Sequence, residues 1–389
     1  MPNWAMRRPG TGHAAIPLRP WASLRGSAFC SASWLRAVES RARRQLQSGR
    51  APGPGSREWL NCPSFPEALA AGKGHCPDER SPRWRLRLAV AGVLAATAVA
   101  NHQLAKRAER RNPPVGRFVD ADGVRLHYLE RGEGLPLVLL HGNGSMIQDF
   151  VSSGLVDLAA RQHRVIVFDR PGYGHSPRPR GRVWSPQAQA DLFRAALGRL
   201  GVSQAVILGH SWGASVALAM ALKHPRTVRG LVLASGYYYP TARVDMALLS
   251  GPAVPLLGNV ARYTIAPIAS RPLWPLLLRK IFGPAPVPAK FRDFPEEMAV
   301  RPSQIRAKAT ASALLTPSAA AMCQDYAGLT MPVAIIAGAE DRLIDPAAQS
   351  RRLHQAIPLS SLHLVPNCGH MVHQTSPEAV MAAINAASG

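Results

Sequence analysis

Six short, predominantly apolar runs constrain this chain more than anything else in it: Leu137 to Leu140, Val165 to Phe168, Ala205 to Leu208, Leu231 to Leu233, Val333 to Ile336 and Leu362 to Val365. A strand with one wet face alternates apolar and polar residues, so runs without that alternation predict strands buried on both faces. Between most of them lie stretches with helical spacing, Pro186 to Leu200, Ala214 to Lys223, Pro346 to Ala356 and Pro377 to Ala386. Such alternation predicts a mostly parallel sheet covered by helices on both sides, with chemistry gathered at the carboxyl ends of the strands. Ahead of the series, Arg117 to Val119 and Val124 to Leu129 read as a hairpin turned at Asp122-Gly123.

The rhythm breaks once. Between Tyr237 and about Leu329 no matching strand occurs, only apolar residues, scattered prolines and short helical pieces such as Pro302 to Leu315. An insertion that leaves a strand's carboxyl end is placed to lie over a site there, and we read residues 237–329 as a cap.

The chain of 389 residues has a net charge of +23, densest at its start, where residues 1–115 hold 19 Lys/Arg against 6 Asp/Glu. A nucleic-acid partner would call for basic residues on an ordered face with aromatics to stack bases, and no such pattern is present. Residues 1–85 are rich in Arg, Pro, Gly and Ser without sustained periodicity, a composition expected to stay disordered. Next comes the uncharged run Leu88 to Ala100, with Arg80, Arg83, Arg85 and Arg87 before it and Lys106, Arg107, Arg110 and Arg111 after it. Its 13 residues fall short of the roughly 20 that a spanning helix needs. Three readings compete: the core of an export signal with Ala98-Val99-Ala100 as cleavage site, a short membrane anchor over 86–104 extended by Arg87 and by Asn101 to Leu104, or an apolar helix packed on the domain. The basic flanks favour the anchor and so membrane association. Cys30, Cys62, Cys76, Cys323 and Cys368 form no C-x-x-C pair and have no histidine at metal-ligand spacing, which argues against a disulfide framework or a zinc site.

The most chemically pointed stretch is Gly209-His210-Ser211-Trp212-Gly213, set between the strand Val206-Ile207-Leu208 and a helix from Ala214. A serine in such a turn is exposed on a strained backbone that only small neighbours tolerate. The helix behind it aims free N–H groups at the same spot. Ser211 is therefore the candidate nucleophile, against the bland reading of a helix-capping serine. A hydroxyl needs a base, and His370, just past the last run, is the candidate, with His373 as rival; His363 lies inside that run, His210 in the turn, His127 in the hairpin and His224 at a helix end. The orienting carboxylate is assigned to Asp341, after the run Val333 to Ile336, with Glu340 and Asp345 close by. For the oxyanion hole the candidate donors are the backbone N–H groups of Trp212 and of Asn143, in the loop His141-Gly142-Asn143-Gly144.

These stretches, together with Asp169-Arg170-Pro171-Gly172-Tyr173-Gly174-His175-Ser176, Gly338-Ala339-Glu340-Asp341 and Gly369-His370, resemble the α/β-hydrolase fold family from about Gly116 to the end. The resemblance implies an eight-stranded, mostly parallel sheet flanked by helices, a triad of Ser211, Asp341 and His370, a helical cap, a small-molecule substrate and no cofactor. Ala214 stands where many relatives have a second glycine. Epoxide hydrolases and haloalkane dehalogenases of the family place Asp at the nucleophile, so Ser211 argues against both. Esterases, lipases, carbon–carbon bond hydrolases, proline iminopeptidases, haloperoxidases and acyltransferases remain, with cleavage of an apolar acyl ester expected; a non-catalytic binding domain is the alternative of another class.

Overall fold

The computed structural model of the chain describes residues 83–241, 250–254 and 257–389; the leading segment 1–82, including most of the stretch expected to be disordered, lies outside them. A helix, α1 (Arg83–Arg111), leads into the hairpin β1 (Arg117–Ala121) and β2 (Val124–Arg131), which turns through Asp122 and Gly123, both at positive φ. There follow β3 (Leu135–Leu140), α2 (Ile147–Ser153), α3 (Leu155–Ala159), β4 (His163–Phe168), α4 (Pro186–Arg199), β5 (Ala205–His210), α5 (Trp212–Lys223) and β6 (Val228–Ala234). After β6 comes a helical insertion with α6 (Leu257–Tyr263), α7 (Ile265–Phe282), α8 (Glu296–Ala299) and α9 (Pro302–Met322). The chain then returns through β7 (Val333–Gly338), α10 (Arg352–Ala356), β8 (Ser360–Val365), α11 (Val372–Thr375) and α12 (Pro377–Ser388).

The eight strands form one sheet in the order β1-β2-β4-β3-β5-β6-β7-β8. β1, β2 and β4 pair antiparallel and every later pairing is parallel. The apolar runs sit in its middle for the reason their composition implies. Side chains alternate across a strand, so Leu137 and Leu139 enter the core on one face with Phe150, Leu155 and Ile384, while Val138 and Leu140 enter the other with Phe193, Leu197 and Leu218.

Several elements differ from the sequence reading. β8 is an edge strand paired to β7 alone, and its residues alternate between half-buried and exposed, so it is not covered on both faces. Helices α2 and α3 escaped notice because Gly154, at φ 83°, ends one and begins the other, which leaves each too short to develop a helical period. The stretch after Pro346 opens with a wide π-type turn over Ala347–Arg351 before α10.

α1 divides into two halves. Asn101 and Ala108 are buried against the insertion, and the Asn101 side-chain amide donates to the carbonyls of Tyr263 and Thr264 at 3.0 and 2.9 Å. Glu109 pairs with Arg301 at 2.9 Å. The amino-terminal half stands clear, with Leu86, Leu88 and Val93 each more than 60% exposed. The apolar stretch is thus not extended by Asn101 to Leu104 as expected, because Asn101 is tied into the protein. Replacing it by leucine keeps the volume but removes both donated bonds. Asn101→Leu is expected to cost about 1–3 kcal/mol, read as a lower urea midpoint with unchanged m.

Candidate active site

β5 runs straight into Ser211, whose φ of 54° and ψ of −118° lie off the helical and extended basins, and α5 starts at the next residue. Glycines make this turn feasible. A Cβ on Gly209 would stand 2.3 Å from the carbonyl oxygen of Gly213, and one on Gly213 would stand 2.1 Å from that of Leu140. The helix therefore crosses the ends of β3 and β5 at backbone contact. Trp212 holds the first N–H of α5, one of those a helix leaves without an acceptor of its own.

The turn meets two loops from the same sheet edge. His370, past β8, brings its Nε2 to 2.9 Å from Ser211 Oγ and its Nδ1 to 2.8 Å from Asp341 Oδ2. Asp341, past β7, accepts N–H bonds from Leu343 and Ile344 on its other oxygen. A carboxylate on Nδ1 favours the tautomer with Nδ1–H, which leaves Nε2 free to take a proton from the hydroxyl. The backbone N–H of His370 is bonded to the carbonyl of Ile281 in α7, so the insertion helps to hold the histidine.

The rival residues have other partners. His373 Nε2 lies 3.0 Å from Asp149 Oδ1. His127 pairs with Asp169 and His224 with Asp191, while His363 is exposed on β8. Glu340 accepts the N–H of Cys368 and Asp345 that of Ala347. Cys323 and Cys368 are free thiols.

Asn143 lies in the loop after β3, where a Cβ on Gly142 would stand 3.2 Å from Ser211 Cβ. Arg170, unassigned from the sequence, clamps this loop. Fully buried, it donates to the carbonyls of His141 and Gly142 and lies 4.6 Å from the ring centres of both Tyr173 and Trp212. Tyr173 OH donates to Asn143 Oδ1 at 2.7 Å, Asn143 Nδ2 donates to the Lys308 carbonyl and Ser312 Oγ, and Trp212 Nε1 donates to the Ala311 carbonyl. Both residues whose backbone N–H groups are candidate oxyanion donors are thereby anchored to α9.

A buried polar group backs the site. His210 Nε2 meets the carbonyl of His370 at 3.1 Å, and its ring centre lies 4.3 Å from that of His373. Asp149 joins them; burial alone would raise its carboxyl pKa, but His373, His210 and Gln374 hold it below the usual carboxylate range. Asp149, His210 and His373 each present a ligand-type atom within 4.8 Å of one another. The Asp149 oxygens already accept bonds from Ser145, His373 and Gln374, while Nδ1 of His210 and Nδ1 of His373 are buried without a hydrogen-bond partner among the described residues. Nothing local marked these residues, since only the fold joins them.

Ser211 and His370 open on a cavity of about 620 Å³ walled by Trp274, Leu277, Phe294 and Leu315 of the insertion. Lys308 also lines it; burial lowers its pKa, and its ammonium has no hydrogen-bond or ion-pair partner among the described residues.

A serine between strand and helix, facing a histidine and a carboxylate across the carboxyl edge of this sheet, defines a hydrolase of the α/β class. A family model for the alpha/beta hydrolase fold matches residues 136–377, and the chain belongs to that family. It is 31% identical over 266 residues to a 2-hydroxymuconate semialdehyde hydrolase of Pseudomonas putida, covering 68% of this chain and 90% of the relative. It is 24% identical over 285 residues to haloalkane dehalogenase 2 of Mycobacterium tuberculosis, covering 70% and 94%. A thermophilic esterase from Thermogutta terrifontis shares the fold with a TM-score of 0.57 at 22% identity, over 69% of this chain and 97% of its own.

The loop after β3 carries a pH liability. His141 Nε2 accepts the N–H of Arg170 while its Nδ1 meets the Gly142 carbonyl, which requires the neutral ring. Burial, then Arg170, pushes its pKa down to about 3. Below the unfolded value of about 6.5, the unfolded chain binds a proton that the folded one refuses, so stability falls with pH by up to about 1.4 kcal/mol per unit for this group. From this group, urea unfolding at pH 5 is expected to give a stability up to about 2 kcal/mol below that at pH 7; equal values would contradict a neutral His141.

Proposed function

We propose that this hydrolase cleaves carboxylic esters with an apolar acyl or alcohol group through an acyl-enzyme on Ser211. The meeting of Ser211 Oγ and His370 Nε2 at the wall of a largely apolar cavity carries the reading. Ser211 attacks the acyl carbonyl as its proton passes to His370 Nε2, and Asp341 holds the resulting imidazolium. The backbone N–H groups of Asn143 and Trp212 stabilise the oxyanion; losing one donor of this kind costs roughly 3 kcal/mol. His370 then protonates the leaving alcohol and afterwards draws a proton from the water that frees the acid. Residues 237–329 act as the cap that shapes the acyl site, which fits the positions of Trp274 and Leu277.

A second reading, hydrolysis of a carbon–carbon bond in a keto acid, is supported by the Pseudomonas putida relative. Lys308, an unpaired cation in the apolar cavity, would suit the substrate's carboxylate.

The exposed apolar half of α1 supports membrane attachment. Trp84–Arg111 is long and apolar enough for a membrane helix by length and composition alone, and with Asn101 and Ala108 docked on the insertion the part before Asn101 is the segment that would enter the bilayer. The full chain is expected to stay with membranes through carbonate extraction, and release of the intact chain would overturn the anchor.

p-Nitrophenyl esters of increasing acyl length, set against an amide and a vinylogous diketone acid, test the chemistry. Esters of intermediate to long acyl chains should turn over, and Ser211→Ala should lose at least about 10³-fold of that activity together with fluorophosphonate labelling. Turnover of the diketone with none of the esters would select carbon–carbon cleavage. A wild-type chain that a fluorophosphonate fails to label would be a binding domain.

A further inference from the structure

A second cavity, of about 520 Å³, shares no lining residue with the catalytic one. Guanidinium groups from three separate segments converge on it: Arg178 and Arg180 from the loop after β4, Arg262 from α6, and Arg301 and Arg306 from the start of α9. One carboxylate lines it, Glu109 of α1, and that group is committed to Arg301 at 2.9 Å and Lys106 at 3.0 Å. Arg301 also donates to the carbonyls of Met298 and Gly174, and Arg178 to that of Pro171.

The other three guanidiniums have no carboxylate partner among the described residues. Arg262 is 7% exposed, and its guanidinium lies 5.3 Å from the ring centre of the adjacent Tyr263. Arg180 and Arg306 carry no side-chain hydrogen bond or ion pair among the described residues and lie near enough to Arg262 to disfavour its charge, in addition to burial. Burial, with Arg170 and Arg306 adding and Tyr173 opposing, pushes the Arg178 pKa down to about 10. Of the three, Arg262 is buried, Arg306 half-buried and Arg180 exposed; a buried cation without a counter-ion is costly, and cations gathered around one cavity repel one another. The arrangement is relieved by an anion whose oxygens several planar guanidiniums can bind pairwise. The amino terminus of the 21-residue α9, with Pro302 and Ser303 in the cavity wall, adds its positive end to the same space.

We propose that this cavity is a binding site for a phosphate-type oxyanion. Its wall includes Glu109 of α1 and Tyr263, next to the carbonyls that hold Asn101, so it sits where α1 docks on the insertion. The phosphate can therefore belong to an anionic lipid headgroup or to a free phosphorylated compound.

The experiment uses the full chain in a non-ionic detergent, titrated with inorganic phosphate and with dihexanoyl phosphatidylglycerol. Sodium chloride at matched ionic strength and dihexanoyl phosphatidylcholine serve as controls. Saturable binding is expected by calorimetry, together with a rise in Tm that neither control gives. Arg262→Gln/Arg306→Gln should weaken that binding at least tenfold while leaving turnover of a short soluble ester unchanged. Because the substitutions remove unneutralised charge, the ligand-free variant should melt no lower than the wild type. Arg180→Gln/Arg306→Gln makes the same comparison without touching buried Arg262. Binding of both probes supports the shared phosphate chemistry, of the lipid probe alone a headgroup, and of inorganic phosphate alone a free compound. If neither probe binds saturably, or if both double variants bind as the wild type does, the proposal fails.

Discussion

The backbone contact between α5 and the ends of β3 and β5 is the constraint on which the rest of the site depends. A single methyl group on Gly209 or Gly213 would overlap a carbonyl oxygen at 2.3 or 2.1 Å, and no rotamer relieves a clash between backbone atoms. Only this close crossing lets the chain reverse within one residue. Ser211 absorbs the reversal at φ 54°, where a non-glycine residue costs about 1–3 kcal/mol that the surrounding core must outweigh. Gly213 presses on Leu140, which leads into the Asn143 loop, so one contact sets Ser211 and the opposing loop together. Ala214 is fully buried at the start of the same helix, and a methyl group is accommodated there because its Cβ faces the core rather than the crossing.

Around that crossing the loops are held by buried charge. Asp169 accepts the N–H groups of Ile147 and His175 and pairs with His127 at 2.6 Å, joining β2, the end of β4 and α2. Arg170 does the same for the carbonyls of His141 and Gly142. Asp149 binds Ser145, His373 and Gln374, fastening α11, just past His370, to α2. Each is an ionised group buried in the interior, and truncating one partner would strand a buried charge. That asymmetry gives the loops a fixed geometry that apolar packing, which lacks direction, does not supply.

The sequence made legible what depends on local pattern. The central strands could be read because burial on both faces leaves an almost unbroken apolar run. Ser211 and Asp341 became candidates because each lies just beyond such a run, and His370 because it follows the edge strand β8. Features were lost where local signal is weak or the information is not local. Gly154 cuts α2 and α3 to lengths that show no period. α9 reads as ending near Leu315, yet it continues through Pro317 to Met322. Its buried residues Gln304, Ala307, Ser312 and Ala319 are polar or small, which blunts any apolar stripe. The Asp149–His210–His373 group and the arginine cavity draw on segments far apart in the chain, and no spacing rule joins them. Nothing beside Arg170 indicates that its guanidinium turns inward rather than to solvent.

α9 is the element on which the two cavities converge. Residues three, four and seven positions apart share a helix face, and Lys308, Ala311, Ser312 and Leu315 keep that spacing. This face receives the side chains of Asn143 and Trp212 and lines the catalytic cavity. Arg306, two positions before Lys308, falls about 200° around the helix and faces the arginine cavity with Arg301 at the helix start. Arg301 in turn reaches Glu109 of α1 and the carbonyl of Gly174. A single rigid helix therefore supports the Asn143 loop on one side and the docking of α1 on the other. A helix pinned on so many sides cannot show a clean polar face, and the same pinning accounts for both its weak sequence signal and its structural weight.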